Sequence, residues 1–281
     1  MENAAYKEVY DRGVQALQSA GVADAGLDAR LLLEFVCHTD RNTLYAHADM
    51  PVSDYARELY EQLIRRRAQR IPLQHLLGTQ EFMGLSFVVN EHVLIPRQDT
   101  ECLVEEAMIC TMDGDRVLDL CTGSGCILLS IMCYKNGIEG VGTDISNEAL
   151  QVARLNAERL EKPALFVNCD LFGQLPEEPF DIIVSNPPYI RSDVIETLAP
   201  EVKDHEPRGA LDGGSDGLVF YKRILKDAPR YIRRGGTVLL EIGYDQGEAV
   251  SSMMKEAGFD NVETVKDLAG NDRVVKGIWV K

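Results

Sequence analysis

The chain has 281 residues, enough for a large domain and a small one, and its 45% hydrophobic content excludes a disordered protein. A formal net charge of -16 argues against a partner held by phosphate neutralisation, so nucleic acid is a disfavoured partner. No apolar run is long enough to span a membrane, Met1-Glu2-Asn3-Ala4 carries no basic and apolar leader, and seven cysteines without a CxxC pair point to reduced cytoplasmic thiols.

Residues 1–75 read as a small helical domain. Val14, Leu17 and Val22, then Leu31, Leu32 and Phe35, then Tyr55, Leu59 and Leu63 recur at helical spacing, and Ser53 suits an N-cap. Arg65-Arg66-Arg67 with Arg70 reads as a solvated helix end. Residues 76–97 form a linker. Within it Leu85, Phe87 and Val89 alternate before a polar Asn90-Glu91 turn and Val93-Leu94-Ile95, which predicts a β-hairpin.

Residues 98–281 alternate strands and helices. The strand candidates are Arg116–Leu120, Gly140–Asp144, Leu165–Cys169, Asp181–Ser185, Thr237–Ile242, Val262–Val265 and Val274–Val280. Amphipathic stretches such as Asn147–Leu160 and Leu218–Ile232 separate them. This pattern predicts an α/β fold, a mostly parallel, doubly wound seven-stranded sheet covered on both faces. The last two strands, joined by Lys266–Arg273 without a helix, predict an antiparallel hairpin at one edge, with Trp279 in the core.

Asp119-Leu120-Cys121-Thr122-Gly123-Ser124-Gly125-Cys126 joins a buried strand to a buried helix start. Glycines there let the backbone turn sharply and approach a ligand, at the strand end where open α/β sheets bind ligands. Asp144 ends the next strand, where a carboxylate accepts hydrogen bonds from ribose hydroxyls. The competing reading is a helix cap, for which Ser146 is better placed. Asp170 and Leu171 end the third strand. They suit an adenine amine and ring face, or a simple turn. The run lacks both GxGxxG spacing and a phosphate-anchoring lysine, so NAD and ATP fit poorly. It resembles the nucleotide site of class I methyltransferases, which implies a Rossmann-like sheet and S-adenosyl-L-methionine as cofactor. Cys121 stands where that pattern usually has glycine and, having a Cβ, is expected at negative φ.

The most specific signal is Asn186-Pro187-Pro188-Tyr189 behind the fourth strand. Two prolines stiffen the loop and fix its carbonyls. The Asn186 side chain and the Pro187 carbonyl can then accept two hydrogen bonds from a planar –NH2 group, while Tyr189 packs against it. A sulfonium donor is already activated, so positioning and electrostatics suffice without a strong base. On these residues alone adenine N6, guanine N2 and glutamine N5 all remain open as acceptors. His38, His47, His75, His92 and His205 show no ligand spacing, and no metal is expected.

Further motifs discriminate among these acceptors. Pro72–Gly78, Glu81–Leu85, Leu94–Glu101, Glu206-Pro207, Ala210-Leu211, Gly213-Gly214, Glu241-Ile242-Gly243 and Arg273-Val274, together with the two runs above, resemble the PrmC (HemK) family over essentially the whole chain. That resemblance implies methyl transfer to the glutamine N5 of the Gly-Gly-Gln motif in peptide chain release factors. It also implies that the helical domain docks the protein substrate. By the same resemblance Cys121–Gly125, Asp144 and Asn186 would contact the cofactor, Leu171 would line the adenine pocket, and Asn186–Tyr189 would hold the glutamine amide; Asp119 and Asp170 are further cofactor-binding candidates. A monomeric cytoplasmic enzyme is expected. Gln98-Asp99 departs from the family's usual proline and acid. Alternatives are a glutamine in a ribosomal protein, or an adenine or guanine in nucleic acid. The Ile190–Gly217 segment is either a lid or a surface loop.

Overall fold

The computed structural model describes residues 4–281; Met1–Asn3, part of the stretch read as carrying no leader, lie outside the described residues. The chain divides into two units. One holds residues up to Gly78 together with Ala199–His205, and the other Thr79–Leu198 with Glu206–Lys281.

The first unit is helical, with α1 (Tyr6–Ser19), α2 (Ala25–Cys37), α3 (Arg41–Ala46), α4 (Asp54–Ala68) and α5 (Leu73–Leu77) around buried Leu17, Leu32, Leu33 and Tyr60. Asp40 caps α3 by accepting the Thr43 amide at 2.8 Å, and Ser53 caps α4 by accepting that of Ala56 at 3.2 Å. The expected solvated arginine cluster is only partly so. Arg65 and Arg66 are exposed, whereas Arg67 lies on the buried face of α4, one turn beyond Leu63 and Ile64. A buried guanidinium needs carboxylates. Arg67 Nε meets Asp28 Oδ2 at 2.7 Å and its Nη2 meets Glu201 Oε1 at 2.9 Å, while Arg70 forks onto both Glu201 oxygens at 2.7 Å. Burial alone would raise the Glu201 carboxyl, but Arg70 and Arg67 hold it down at about 2.

The second unit opens with an antiparallel pair, β1 (Thr79–Phe82) and β2 (Leu85–Val88), in which Phe82 faces Leu85. Its turn is Met83 (φ 52°) and Gly84 (φ 68°), the left-handed pair that matches strand twist in a two-residue hairpin. The hairpin expected around Asn90-Glu91 therefore does not form. Val93 and Ile95 are buried without strand pairing.

The remaining elements are α6 (Glu101–Cys110), β3 (Arg116–Leu120), α7 (Cys126–Tyr134), β4 (Glu139–Asp144), α8 (Asn147–Arg159), β5 (Leu165–Asn168) and β6 (Phe180–Ser185). They continue with α9 (Pro200–Lys203, part of the helical unit), α10 (Val219–Asp227), β7 (Ile232–Glu241), α11 (Gly247–Ala257), β8 (Phe259–Lys266) and β9 (Asp272–Trp279). The strands form one sheet in the order β5-β4-β3-β6-β7-β9-β8. β3 through β7 run parallel, and β9 pairs antiparallel with both β7 and β8. The predicted hairpin thus lies at the edge, with its reversed strand, β9, one place in from the margin. Trp279 is half-buried rather than core, its ring 5.2 Å from that of Phe259.

Successive residues of β3 point to opposite faces. Val117 packs with Leu103, Leu128 and Leu150 of α6, α7 and α8, while Leu118 packs with Tyr221, Ile224 and Met254 of α10 and α11. The strand order reverses at β3, between β4 and β6, and this opens a crevice at their carboxyl ends. The predicted motifs converge there.

Candidate active site

β3 ends in the glycine turn. Cys121, Gly123 and Gly125 have φ of 59°, 54° and 79°. The expectation of negative φ at Cys121 is therefore overturned. The turn is pinned around it, with the Thr122 amide donating to the Thr143 carbonyl at 2.9 Å and the Gly125 amide to the Thr122 carbonyl at 2.8 Å. Asp119 is fully buried beneath the turn, where its Oδ2 accepts the Thr122 hydroxyl at 2.6 Å. Burial pushes its carboxyl up to about 7, with the Thr122 hydroxyl opposing. Gly125 suits its left-handed backbone, and a Cβ there would stand 3.1 Å from Leu129 Cδ1 and 3.3 Å from the Ala153 Cβ, so those side chains would have to give by a few tenths of an ångström.

Asp144 at the end of β4 joins that turn to the next strand. Its Oδ2 accepts the Gly123 amide and its Oδ1 the Ser146 amide, each at 2.9 Å. Burial raises its carboxyl, opposed by hydrogen bonds from the Ser146 and Gly123 amides. Ser146, not Asp144, caps α8, accepting the Ala149 amide at 3.0 Å. Beyond β5, Asp170 Oδ2 lies 2.7 Å from Arg223 Nη2, and Leu171 is buried at φ 54°.

β6 ends in the acceptor motif. The Ser185 hydroxyl donates to the Leu120 carbonyl at 2.7 Å, tying β6 to β3 at their ends. Asn186 Nδ2 donates to Thr100 Oγ1 at 3.2 Å, and Pro187 and Pro188 are buried. The Tyr189 hydroxyl donates to Glu241 Oε1 at 3.3 Å, while the Tyr189 carbonyl accepts Gln246 Nε2 at 3.0 Å. Burial raises the Tyr189 phenol and pushes the Glu241 carboxyl up to about 7. Gly213 packs directly under this loop, because a Cβ there would fall 2.7 Å from the Tyr189 Cα and 2.9 Å from the Pro188 carbonyl. Its amide donates to the Ile190 carbonyl at 2.8 Å, so the second unit holds the Ile190 and Gly213 ends of the intervening segment together.

A cavity of about 440 Å³ lies over these strand ends. Of the residues proposed from sequence, Cys121, Thr122, Gly123, Ser124, Asp144, Asp170, Leu171, Asn186 and Pro188 line it. Asp119, Gly125, Pro187 and Tyr189 are not among the lining residues. Residues without a sequence-assigned role also line it, among them His92, Val93, Thr100, Phe220 and Arg223. Thr100 belongs to the Leu94–Glu101 motif, which signalled importance without a role. Phe220 and Arg223 arrive from α10 and carry no local signal.

Residues 8–78 match the PrmC N-terminal domain family, and residues 98–202 the methyltransferase small domain family. The release factor glutamine methyltransferase of Geobacter sulfurreducens is 44% identical over 261 residues, covering 93% of this chain and 92% of that protein. Its counterpart in Clostridium botulinum is 41% identical over 276 residues, covering 96% and 98%. The crystal structure of a methyltransferase from Pyrococcus furiosus superposes with a TM-score of 0.56 at 19% identity, over 77% of this chain and 99% of that one, and shares its fold.

Proposed function

The chain belongs to the release factor glutamine methyltransferase family, and from that membership we propose that it methylates the side-chain amide N5 of the glutamine in the Gly-Gly-Gln motif of peptide chain release factors. S-adenosylmethionine is the methyl donor, and when bound it supplies the methyl on a positively charged sulfonium.

The cavity suits that cofactor. The acceptor at one end is Asp144, whose two oxygens each accept one amide and retain lone pairs for ribose hydroxyls. Beside it, a Cβ built on Gly123 would meet nothing within 4 Å, which leaves open space for close approach of a ligand to the backbone. Leu171 and Phe220 offer apolar surface for a base.

The observation that carries the proposal is the orientation of Asn186. Its Nδ2 is committed to Thr100, so Oδ1 is the atom left to meet an acceptor. An amide nitrogen is a weak nucleophile because its lone pair is delocalised into the carbonyl. Two acceptors on its N–H groups, Asn186 Oδ1 and the Pro187 carbonyl, raise its electron density and stabilise the positive charge that develops during transfer. They also direct the nitrogen, which serves positioning.

In this reading the helical unit docks the release factor, and the enzyme acts as a cytoplasmic monomer. Among the described residues no helix is long and apolar enough to cross a membrane. The test is incubation of the full chain with isotopically labelled donor and, separately, release factor, release factor with the Gly-Gly-Gln glutamine changed to alanine, ribosomal protein, DNA and RNA. Label in the first sample alone is expected. Label in ribosomal protein or nucleic acid, with none in release factor, overturns the proposal.

A further inference from the structure

The acceptor motif is supported from two sides. On one, Asn186 Nδ2 donates to Thr100 Oγ1 at 3.2 Å, and the Thr100 amide donates to the Arg97 carbonyl at 3.1 Å, closing the short turn Gln98–Thr100. On the other, the chain just past Tyr189 rests on the segment Glu206–Gly214. The Ile190 amide donates to the Leu211 carbonyl at 3.0 Å and the Gly213 amide to the Ile190 carbonyl at 2.8 Å, while the Ser192 hydroxyl donates to Asp212 Oδ1 at 2.6 Å. An ion pair joins the two supports, with Arg97 Nη2 donating to Glu206 Oε1 at 2.5 Å. The contacts therefore close a ring that runs from Asn186 through Thr100, Arg97, Glu206 and Leu211 to Ile190. Within that ring Pro207, Gly209, Ala210 and Asp212 line the cavity, and so does Arg97.

The pair is built unevenly. The Glu206 side chain is 1% exposed and that of Arg97 41%, and Glu206 Oε2 meets no hydrogen-bond partner. A carboxyl buried with one oxygen unbonded is costly, and apolar side chains would serve stability as well. Oε1 accepts from the guanidinium whether the carboxyl is ionised or protonated, so the contact holds in both states.

We infer that Arg97 and Glu206 are positioning residues, fixing the cavity-lining segment Pro207–Asp212 so that methyl donor and acceptor loop are held in one register. The inference rests on the reading of this cavity as the cofactor's and of the Asn186 loop as the acceptor site.

The physical reason is that the segment has few other ties. Its internal bonds are local, from the Ala210 amide to the Pro207 carbonyl at 2.9 Å and from the Leu211 and Asp212 amides to the Arg208 carbonyl at 3.0 Å. They shape the turn without fastening it. The Arg208–Glu196 pair is exposed and so contributes little. Gly213 is fastened to Ile190 at one end, and Glu206 fastens the other. With both ends fixed, the cavity wall and the acceptor backbone move as one piece. With the Glu206 end free they do not, and a misplacement of about 1 Å costs on the order of a hundredfold in rate.

The test compares Arg97→Ala, Arg97→Lys and the double variant Arg97→Ala/Glu206→Gln in the full chain. Arg97→Ala should lower kcat at least about tenfold and raise the Kd for S-adenosylhomocysteine about fivefold or more, with KM for release factor within about threefold. Arg97→Lys can still make the single contact and should recover part of kcat. Arg97→Ala also strands a buried carboxyl and should lose stability. The double variant carries a neutral group there, so it should regain stability yet stay as slow as Arg97→Ala, because the contact is still missing. It stands in where Arg97→Ala does not fold. A second readout needs no acceptor. In backbone hydrogen exchange, with and without S-adenosylhomocysteine, the Ile190 and Gly213 amides should exchange at least about tenfold faster in both alanine-bearing variants than in the wild type, while amides of the central strands β3 and β4 keep their rates in the double variant. Wild-type kcat in the double variant, no recovery in Arg97→Lys, or unchanged exchange at Ile190 and Gly213 overturns the inference. A wild type inactive on release factors overturns the substrate reading instead, and the exchange measurement still decides this one.

Discussion

Asp144 Oδ2 accepts the Gly123 amide at 2.9 Å, so the end of β4 and the turn after β3 are one rigid piece. In the proposed site, that carboxylate both shapes the turn and meets the ribose. Asp144→Ala removes both roles. Lost hydrogen bonds to a charged group are worth about 1.5–3 kcal/mol, so cofactor Kd should rise by about tenfold to a hundredfold. Titration calorimetry checks this, and an unchanged Kd removes Asp144 from the cofactor site. Asp144→Asn, which can still accept the Gly123 amide, should lose less.

Arg67 of α4 is buried against Asp28 of α2, and both belong to the helical unit. Truncating one partner of a buried pair leaves a charge without compensation, which costs about 3–5 kcal/mol. Arg67→Ala should therefore destabilise the helical unit by about 3 kcal/mol or more, and hydrogen exchange should quicken in α2 and α4 first. The Asp28→Ala/Arg67→Ala double variant should lose less than the sum of the single changes. Denaturant unfolding followed by α-helical circular dichroism reads both. A loss under about 1 kcal/mol for Arg67→Ala would contradict the burial argument.

Asp119 gives the fold an inverted pH response. Its folded carboxyl is pushed by burial up to about 7 from an ordinary 3.8. The folded state therefore holds a proton that the unfolded chain has already released. That contribution to stability is complete below about pH 4 and is lost as pH rises toward 7, by up to about 1.4 kcal/mol per unit. Above pH 7 it changes no further. Asparagine at this position does not titrate and can still accept the Thr122 hydroxyl. The stability of Asp119→Asn relative to wild type should thus climb between pH 4 and pH 7 and then level off. Unfolding free energies at pH 5, 6, 7 and 8 check this, and a flat difference would refute the buried, proton-holding state.

What the sequence made legible was local. The seven strands follow from alternation of apolar runs with turn residues. The glycine turn and Asn186-Pro187-Pro188-Tyr189 are contiguous motifs whose chemistry is carried by neighbours in the chain. Where reading and structure part, the cause is either a backbone conformation or a distant partner. Met83 at φ 52° forms half of the hairpin turn, yet nothing in a methionine advertises a left-handed backbone. Val93-Leu94 has strand-like composition, but the chain uses it to line the cavity. Arg67 meets carboxylates 39 and 134 residues away, and such pairing is invisible to a window of sequence. Phe220 and Arg223 reach the cavity in the same non-local way, from a helix read only as amphipathic. The Glu241 motif was visible, whereas its contact with the Tyr189 hydroxyl appears only when β6 and β7 lie side by side.

Cys121 shows how backbone and side chain compete at one position. At φ 59° a residue with a Cβ carries about 1–2 kcal/mol of local strain that glycine avoids. Glycine, however, leaves a more flexible unfolded chain, at a cost of about 0.5–1 kcal/mol, and gives up the packing of the thiol. The opposing effects are of similar size. Cys121→Gly should accordingly leave stability within about 1 kcal/mol of wild type, and since the turn's hydrogen bonds are made by Thr122, Gly123 and Gly125, cofactor binding should persist within about threefold. Cys121→Val is the discriminating change. A β-branched residue is disfavoured at positive φ, and the added bulk stands beside the cavity. It should lower both stability and cofactor affinity, measured by denaturation and calorimetry on the same preparation. Equal behaviour of the glycine and valine variants would show that neither the left-handed turn nor the space above it constrains this residue.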